Sequence, residues 1–197
     1  MYGDTDATEE EAFTNKNNST IKGVIDTWYQ KNLSSYSGYL ADEVFCNDRT
    51  LASTSTYSSS NNFAYAGWER LANTNKAPQL TCPNLARDGF TTATASIGNK
   101  ALTYPIGLIT ADEVSLAGGV YGTDNKSYYL YTGQWYRALS AYYWSSGRAY
   151  AFNVGSNGSL YNYYVYNLGG ARPVVSLRTS TLVTSGTGTE TDPYVIE

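Results

Sequence analysis

The sequence predicts an α+β fold, and three observations carry that expectation. An amphipathic helix opens the foldable part of the chain, and a second, short helix near residue 110 carries its own start and stop signals. From residue 130 onward, β-branched and aromatic segments are separated by Gly, Ser and Asn. Helix, irregular middle, helix and then a run of strands predicts two helices and a twisted antiparallel sheet with long irregular loops, not alternating βαβ units.

Residues 1–18 carry Asp4, Asp6, Glu9, Glu10 and Glu11 with almost nothing to bury, which reads as a polar leader or linker, leaving 19–197 as one domain. Ser19 or Thr20 caps a helix in which Ile21, Val24, Ile25 and Trp28 follow i, i+3, i+4, i+7 spacing, ending near Leu33. Tyr36 to Cys46 reads as a strand or packed extended segment. Thr50 to Asn62, nearly all Ser, Thr and Asn, reads as an exposed loop. Phe63 to Leu71, with Trp68 at its centre, returns to the core, and Pro78 and Pro83 frame Cys82 in an irregular connection.

Ala101 to Ile109 reads as a short apolar strand. Thr110 and Glu113 form a capping box in which each side chain satisfies a free amide, and Gly118-Gly119 supplies the stop, so the second helix spans about 111–117. Leu130–Leu139, Arg148–Val154, Leu160–Tyr166 and Arg172–Leu177 read as strands. Asn157-Gly158 is the pair favoured in a type I′ hairpin turn, and a last strand covers about 194–197.

Composition narrows function. The chain has 197 residues, two Cys and no His, with a net charge of −4. A single domain of that length hides roughly 70% of its unfolded surface, so a real core is expected. Without histidine there is no Ser-His-Asp or Cys-His triad and no His-ligated zinc. The acidic balance argues against a nucleic-acid partner. No apolar run is long enough to cross a bilayer, and Met1-Tyr2-Gly3-Asp4 has neither a basic nor an apolar signal region; an exported protein would be represented here by its mature part. Cys46 and Cys82 lack metal or redox spacing. They form either a disulfide, worth about 4 kcal/mol by chain entropy, or two small buried apolar residues.

Between 128 and 170, 30 of 43 positions are Tyr, Ser, Gly, Asn, Trp or Arg, and 11 are Tyr, a mixture no core can use because buried hydroxyls need partners. This is the alphabet of antibody paratopes, in which Tyr and Trp give rigid contact area and Ser, Gly and Asn adapt their hydrogen bonds. Tyr161, Tyr163, Tyr164 and Tyr166 occupy both pleat parities, and Trp144-Ser-Ser-Gly147 reads as a loop. The competing reading is a stabilising aromatic ladder. No Asp or Glu lies between Asn125 and Thr189, while Arg137, Arg148, Arg172 and Arg178 do, so carboxylate chemistry and calcium are excluded there and the local field is mildly positive. Asp112 and Glu113 serve the helix dipole, and Asp48 beside Arg49 reads as a turn with a local ion pair.

Leu102–Gly119, Tyr129–Trp135, Gly169-Gly-Ala-Arg-Pro-Val-Val-Ser-Leu177, Val44–Arg49 and Gly186–Val195 resemble uncharacterised domains in surface or secreted proteins of Gram-positive, largely gut-dwelling bacteria. Those resemble the C-type lectin-like fold, in the branch of formylglycine-generating-enzyme-like domains and the variable proteins of diversity-generating retroelements. The resemblance covers about residues 19–197 and implies a ligand face at about 136–167. In the retroelement members that face is diversified, which would make Tyr136, Tyr142, Trp144, Ser146, Arg148, Asn153, Tyr161, Tyr163, Tyr164 and Tyr166 the variable contacts, among scaffold positions Ala149, Val154, Leu160 and Val165. Arg137, Tyr143 and Tyr150 complete the expected ligand-binding set. The calcium-dependent sugar site of lectin members does not carry over, since this region lacks acids. The formylglycine chemistry does not carry over either, since Cys46 and Cys82 lie upstream of its cysteine pair.

The expectation is therefore a non-enzymatic recognition or adhesion domain, without cofactor or metal. It would be extracellular, cell-surface or phage-borne in setting, monomeric, and bound to a protein or glycan on a cell or phage surface, with no nucleic acid and no membrane insertion. The alternatives are a structural or spacer domain of a bacterial surface protein, and an enzyme built on Asp42, Glu43 and Asp48.

Overall fold

A computed structural model describes residues 18–58, 61–73, 76–93, 101–189 and 191–197. The polar leader, apart from Asn18, lies outside the described residues. The fold is α+β, with few helices and open antiparallel sheets.

Helix α1, Thr20–Asn32, starts as expected: the Ser19 side chain accepts from the Lys22 amide at 3.3 Å. Its buried stripe is turned from the one its spacing suggested. Ile25 and Tyr29 are buried, with Ile21 packed alongside, whereas Val24 and Trp28 are 54% and 43% exposed. The cause is the partner surface: Ile25 and Tyr29 meet Leu40, Ile106 and Leu108, and Tyr104 stacks on Tyr29 at 4.7 Å. A 3₁₀ turn, Ser34–Tyr39, replaces the first four residues of the extended segment expected after it.

Short strands then tie the first half of the chain to its end. Strand β1 (Leu40–Ala41) pairs with β11 (Ser176–Leu177), and β5 (Gly107–Leu108) pairs with β10 (Pro173–Val174). The Ala101–Ile109 run thus forms only two residues of ladder. Strand β2 (Phe45–Cys46) pairs with β4 (Gly89–Phe90), which follows α2, a single unexpected helical turn at Leu85–Asp88. Beside this pair, Cys46 and Cys82 form a disulfide, resolving the open alternative. The described part of the expected Thr50–Asn62 loop forms no strand of two or more residues and no helix, but Ala52 within it is buried, and its amide donates to Ala64 at 2.9 Å.

The capping box is present: Thr110 accepts from the Glu113 amide at 3.1 Å, and the Glu113 carboxylate accepts from Thr110 N at 2.7 Å. This starts α3, Ala111–Leu116. The main sheet runs β3 (Phe63–Ala64), β6 (Tyr136–Ser145), β7 (Arg148–Val154), β8 (Leu160–Tyr164), with β9 (Gly170–Ala171) parallel to the start of β6. The expected strand at Leu130–Leu139 begins six residues later and runs through Trp144, which is ladder and not loop. A final hairpin pairs β12 (Val183–Ser185) with β13 (Val195–Ile196).

The type I′ geometry expected at Asn157-Gly158 is found instead at the preceding hairpin turn. Between β6 and β7, Ser146 and Gly147 both have positive φ, 51° and 73°, the requirement of a type I′ turn. Between β7 and β8, only Gly158 does, at 81°, and its amide donates to Gly155 at 2.9 Å. That is a type I turn closed by a left-handed glycine. A side chain at Gly158 would also collide with the Asn125 carbonyl.

One core lies between the sheet and α3, built from Phe152, Val154, Leu160, Ala138, Val114 and Tyr136. The other lies under α1.

Candidate ligand face

The type I′ turn delivers the central feature of the molecule. With Ser145 opposite Arg148, the ladder register places Tyr143 opposite Tyr150, and the next pair places Tyr150 opposite Tyr164. Cross-strand partners share a face, so three tyrosines form one row across β6, β7 and β8. The Tyr150 and Tyr164 rings are 4.5 Å apart. Tyr166 extends the row, stacked on Tyr164 at 5.1 Å with only 11° between planes. Trp68, on the π-helical segment Trp68–Asn73, approaches Tyr143 at 6.4 Å from the other side. Tyr143, Tyr150 and Tyr164 are half-buried; Tyr166 is 63% exposed.

Arg148 lies over the Tyr164 ring, 5.3 Å from its centroid, and is exposed. It takes part in none of the ion pairs among the described residues. The Tyr150 hydroxyl, and after it the Arg148 guanidinium, hold the Tyr164 phenol below its ordinary value. The same contact with Tyr164 pushes Tyr150 up to about 12. Ser146, also exposed, donates its amide to the Asn62 side chain at 3.0 Å. The row with Ser146 and Arg148 is the part of the expected ligand set that tertiary structure brings together.

Four expected contacts are corrected, because their side chains are enclosed. Tyr136 is 4% exposed in the main core, with Arg172 5.2 Å over its ring. Arg137 is buried, and its guanidinium donates to the carbonyls of Tyr164 and Asn167, both at 2.9 Å, binding the end of β8 to β6. Trp144 is covered by β3, stacked on Phe63 at 6.4 Å. Asn153 is fully buried, and its amide donates to Ala151 at 2.9 Å. Both faces of the strands are covered here, since Tyr136 and Arg137 are consecutive and both buried, as are Ala151 to Val154, so polar types that composition alone assigned to solvent are enclosed.

Tyr142 is half-buried and serves packing. Its hydroxyl meets that of Tyr121 at 2.8 Å, its ring lies edge-on to Phe152 at 4.9 Å, and burial pushes its phenol up. Tyr161 and Tyr163 pair with Asn153 and Ala151, so they lie on the sheet face opposite Tyr150 and Tyr164. Tyr163 is 41% exposed and meets the Trp135 ring edge at 6.2 Å. The expectation of aromatics on both pleat parities therefore holds, but they make two surfaces and not one. Trp68 was placed in the core by its sequence neighbours; no local pattern marks it as part of the row.

Asp42, Asp48, Asp88 and Asp112 are engaged in structure. Asp112 accepts two bonds from Arg70, both at 2.8 Å, and one from the Gln79 amide at 2.9 Å, a tertiary role beyond the expected helix dipole. Arg70 also reaches Asp48 at 3.2 Å. Arg49 pairs with fully buried Asp88 at 2.9 Å, and the Asp48 carboxylate also accepts from the Thr50 amide at 3.1 Å. Asp42 accepts the amides of Thr92 and Ala93 at 2.8 and 3.2 Å. An open depression of about 430 Å³ lies between Thr50–Ser55 and Pro83–Arg87; its one charged side chain, Arg87, is held by Asp88. Among the described residues, no group of three His, Cys, Asp or Glu could hold a metal ion, and no helix is long and apolar enough to cross a membrane.

No protein-family model, curated protein or solved structure matches the chain.

Proposed function

We propose that this chain is a non-enzymatic recognition domain of C-type lectin-like fold, of the kind found in retroelement variable proteins, acting outside a bacterial cell or on a phage. Its partner is a protein or glycan on a cell or phage surface. The single observation that carries this reading is the row Tyr143, Tyr150, Tyr164 and Tyr166, three half-buried rings leading to an exposed one, beside exposed Arg148, which takes part in none of the ion pairs among the described residues. Contiguous aromatic surface on a soluble domain is costly to expose and usually marks contact sites. Tyrosine and arginine are also the residues that dominate binding hot spots. Ser146 at the type I′ turn and Tyr163 on the opposite face are secondary contacts in this reading.

The test replaces Tyr143, Tyr164 and Tyr166 together by alanine and probes a panel of glycans and surface proteins with both forms. The expected outcome is loss of the captured ligand with the melting temperature lowered by only a few degrees. Ligand capture unchanged in the triple variant would refute the reading.

The structural or spacer reading has one observation of its own. Leu182, Val183, Tyr194 and Val195 leave the C-terminal hairpin apolar and exposed, as a contact with a neighbouring domain would.

A further inference from the structure

We propose that the tyrosine row binds a carboxylate-bearing saccharide, one sugar ring lying on the open face of Tyr166 and its carboxylate meeting the Arg148 guanidinium and the Tyr164 hydroxyl. This deepens the recognition reading above and rests on it.

The charge argument comes first. Arg148 is exposed, it is absent from the ion pairs among the described residues, and its electrostatic neighbours are the phenols of Tyr164, Tyr166 and Tyr150. No Asp or Glu occurs in the sequence from 125 to 189, so an incoming anion meets no like charge along these strands. A guanidinium beside hydroxyl donors is suited to a planar oxyanion, which it can bind through two parallel hydrogen bonds. The lowered pKa of Tyr164 makes its hydroxyl a stronger donor to a ligand oxygen.

Shape decides between classes of anionic ligand. Tyr166 is stacked by Tyr164 on one side and remains 63% exposed, so its other face is turned outward. Three cross-strand neighbours span about 10 Å, two strand spacings, as a shallow platform. Side chains of a protein partner take their energy from filling desolvated pockets. A sugar ring instead presents a flat array of C–H groups, which suits the negative face of an exposed aromatic ring. A sugar acid combines that flat face with the anion that Arg148 requires.

Titration calorimetry on the full chain tests this with oligogalacturonate and α2,8-linked oligosialate, each also as its methyl ester, and a glutamate-rich peptide of equal charge. The expected result is that at least one acidic saccharide binds and its ester binds about tenfold or more weakly, since a charge-assisted contact is lost. R148Q is expected to reproduce that loss, R148K to recover part of it, and Y166A to weaken both acid and ester, all with native melting curves. An ester that binds as well as the acid, a peptide that binds as well as the saccharide, or no binding of either saccharide would overturn the inference. A neutral glycan or a protein captured by the chain and lost in the triple tyrosine variant would overturn this inference and keep the recognition reading. A ligand retained by that variant overturns both.

Discussion

The charged residues of the first half and the arginines of the last third follow different rules. Around Cys46–Asp112, arginines answer to carboxylates: buried Arg49 and half-buried Arg87 share Asp88, and half-buried Arg70 bridges Asp48 and Asp112. In the acid-free stretch, arginines use carbonyls and rings. Arg137 donates to the Tyr164 and Asn167 carbonyls, Arg172 to Leu130 at 2.6 Å while covering Tyr136, and Arg178 to Leu40 at 2.9 Å. A buried cation needs its donors satisfied, and carbonyl oxygens serve when no carboxylate is near. Arg148, exposed at the start of β7, is under no such demand and lies over the Tyr164 ring. The tyrosines divide in the same way, with Tyr136 and Tyr142 packed around Phe152 and the row at the hairpin end open.

The comparison breaks first at its packed side. Phe152→Ala removes a fully buried ring beneath Tyr121 and Tyr142 and is expected to cost about 4 kcal/mol, read from the shift in denaturant midpoint. Asp88→Asn leaves Arg49 and Arg87 without their shared charge in a fully buried place. It is expected to cost about 3 kcal/mol by the same measurement, with the disulfide intact.

Alkaline pH separates the two kinds of tyrosine more finely. Burial raises Tyr65 from 10.0 to about 12 and raises Tyr142 as well. The unfolded chain releases those protons near 10 while the folded chain keeps them, so their contribution is complete below pH 10 and lost as pH rises toward 12. Denaturant midpoints at about pH 9 and about pH 11 should show a lower value at the higher pH. Tyr164, lowered by its neighbours, has the opposite sign: its contribution is present above 10 and fades as pH falls through its folded value. A stepwise spectrophotometric titration in which Y164F removes the earliest phenol to ionise would sharpen the contrast. The smallest expected effect is Tyr166→Ala, within about 0.5 kcal/mol of the parent by denaturant midpoint, because the ring is already in water.

Where local physics suffices, the sequence was legible. The Ser19 cap, the Thr110–Glu113 capping box, and strand Arg148–Val154 stand where their residues predicted. Solvent access was legible in part, since Tyr143, Tyr150, Tyr164, Tyr166, Ser146 and Arg148 are accessible to different degrees. Trp144 was not, because Ser145-Ser146-Gly147 reads as loop while the turn needs only Ser146 and Gly147. Val24 and Trp28 were misplaced because 3.6-residue spacing defines a stripe but not the part of it that a neighbouring strand covers.

By itself the sequence determined the α+β class, the crowd of tyrosines and the absence of acids among them, since these follow from residue type and short-range spacing. Which tyrosines see water, which carboxylate each arginine meets, and that Cys46 reaches Cys82 were decided by tertiary structure. Those outcomes depend on strand register and on partners that stand far away along the chain. A one-residue slip of β7 against β6 would carry Tyr150 to the opposite face of the sheet and dissolve the row, and nothing local to Tyr150 records that register.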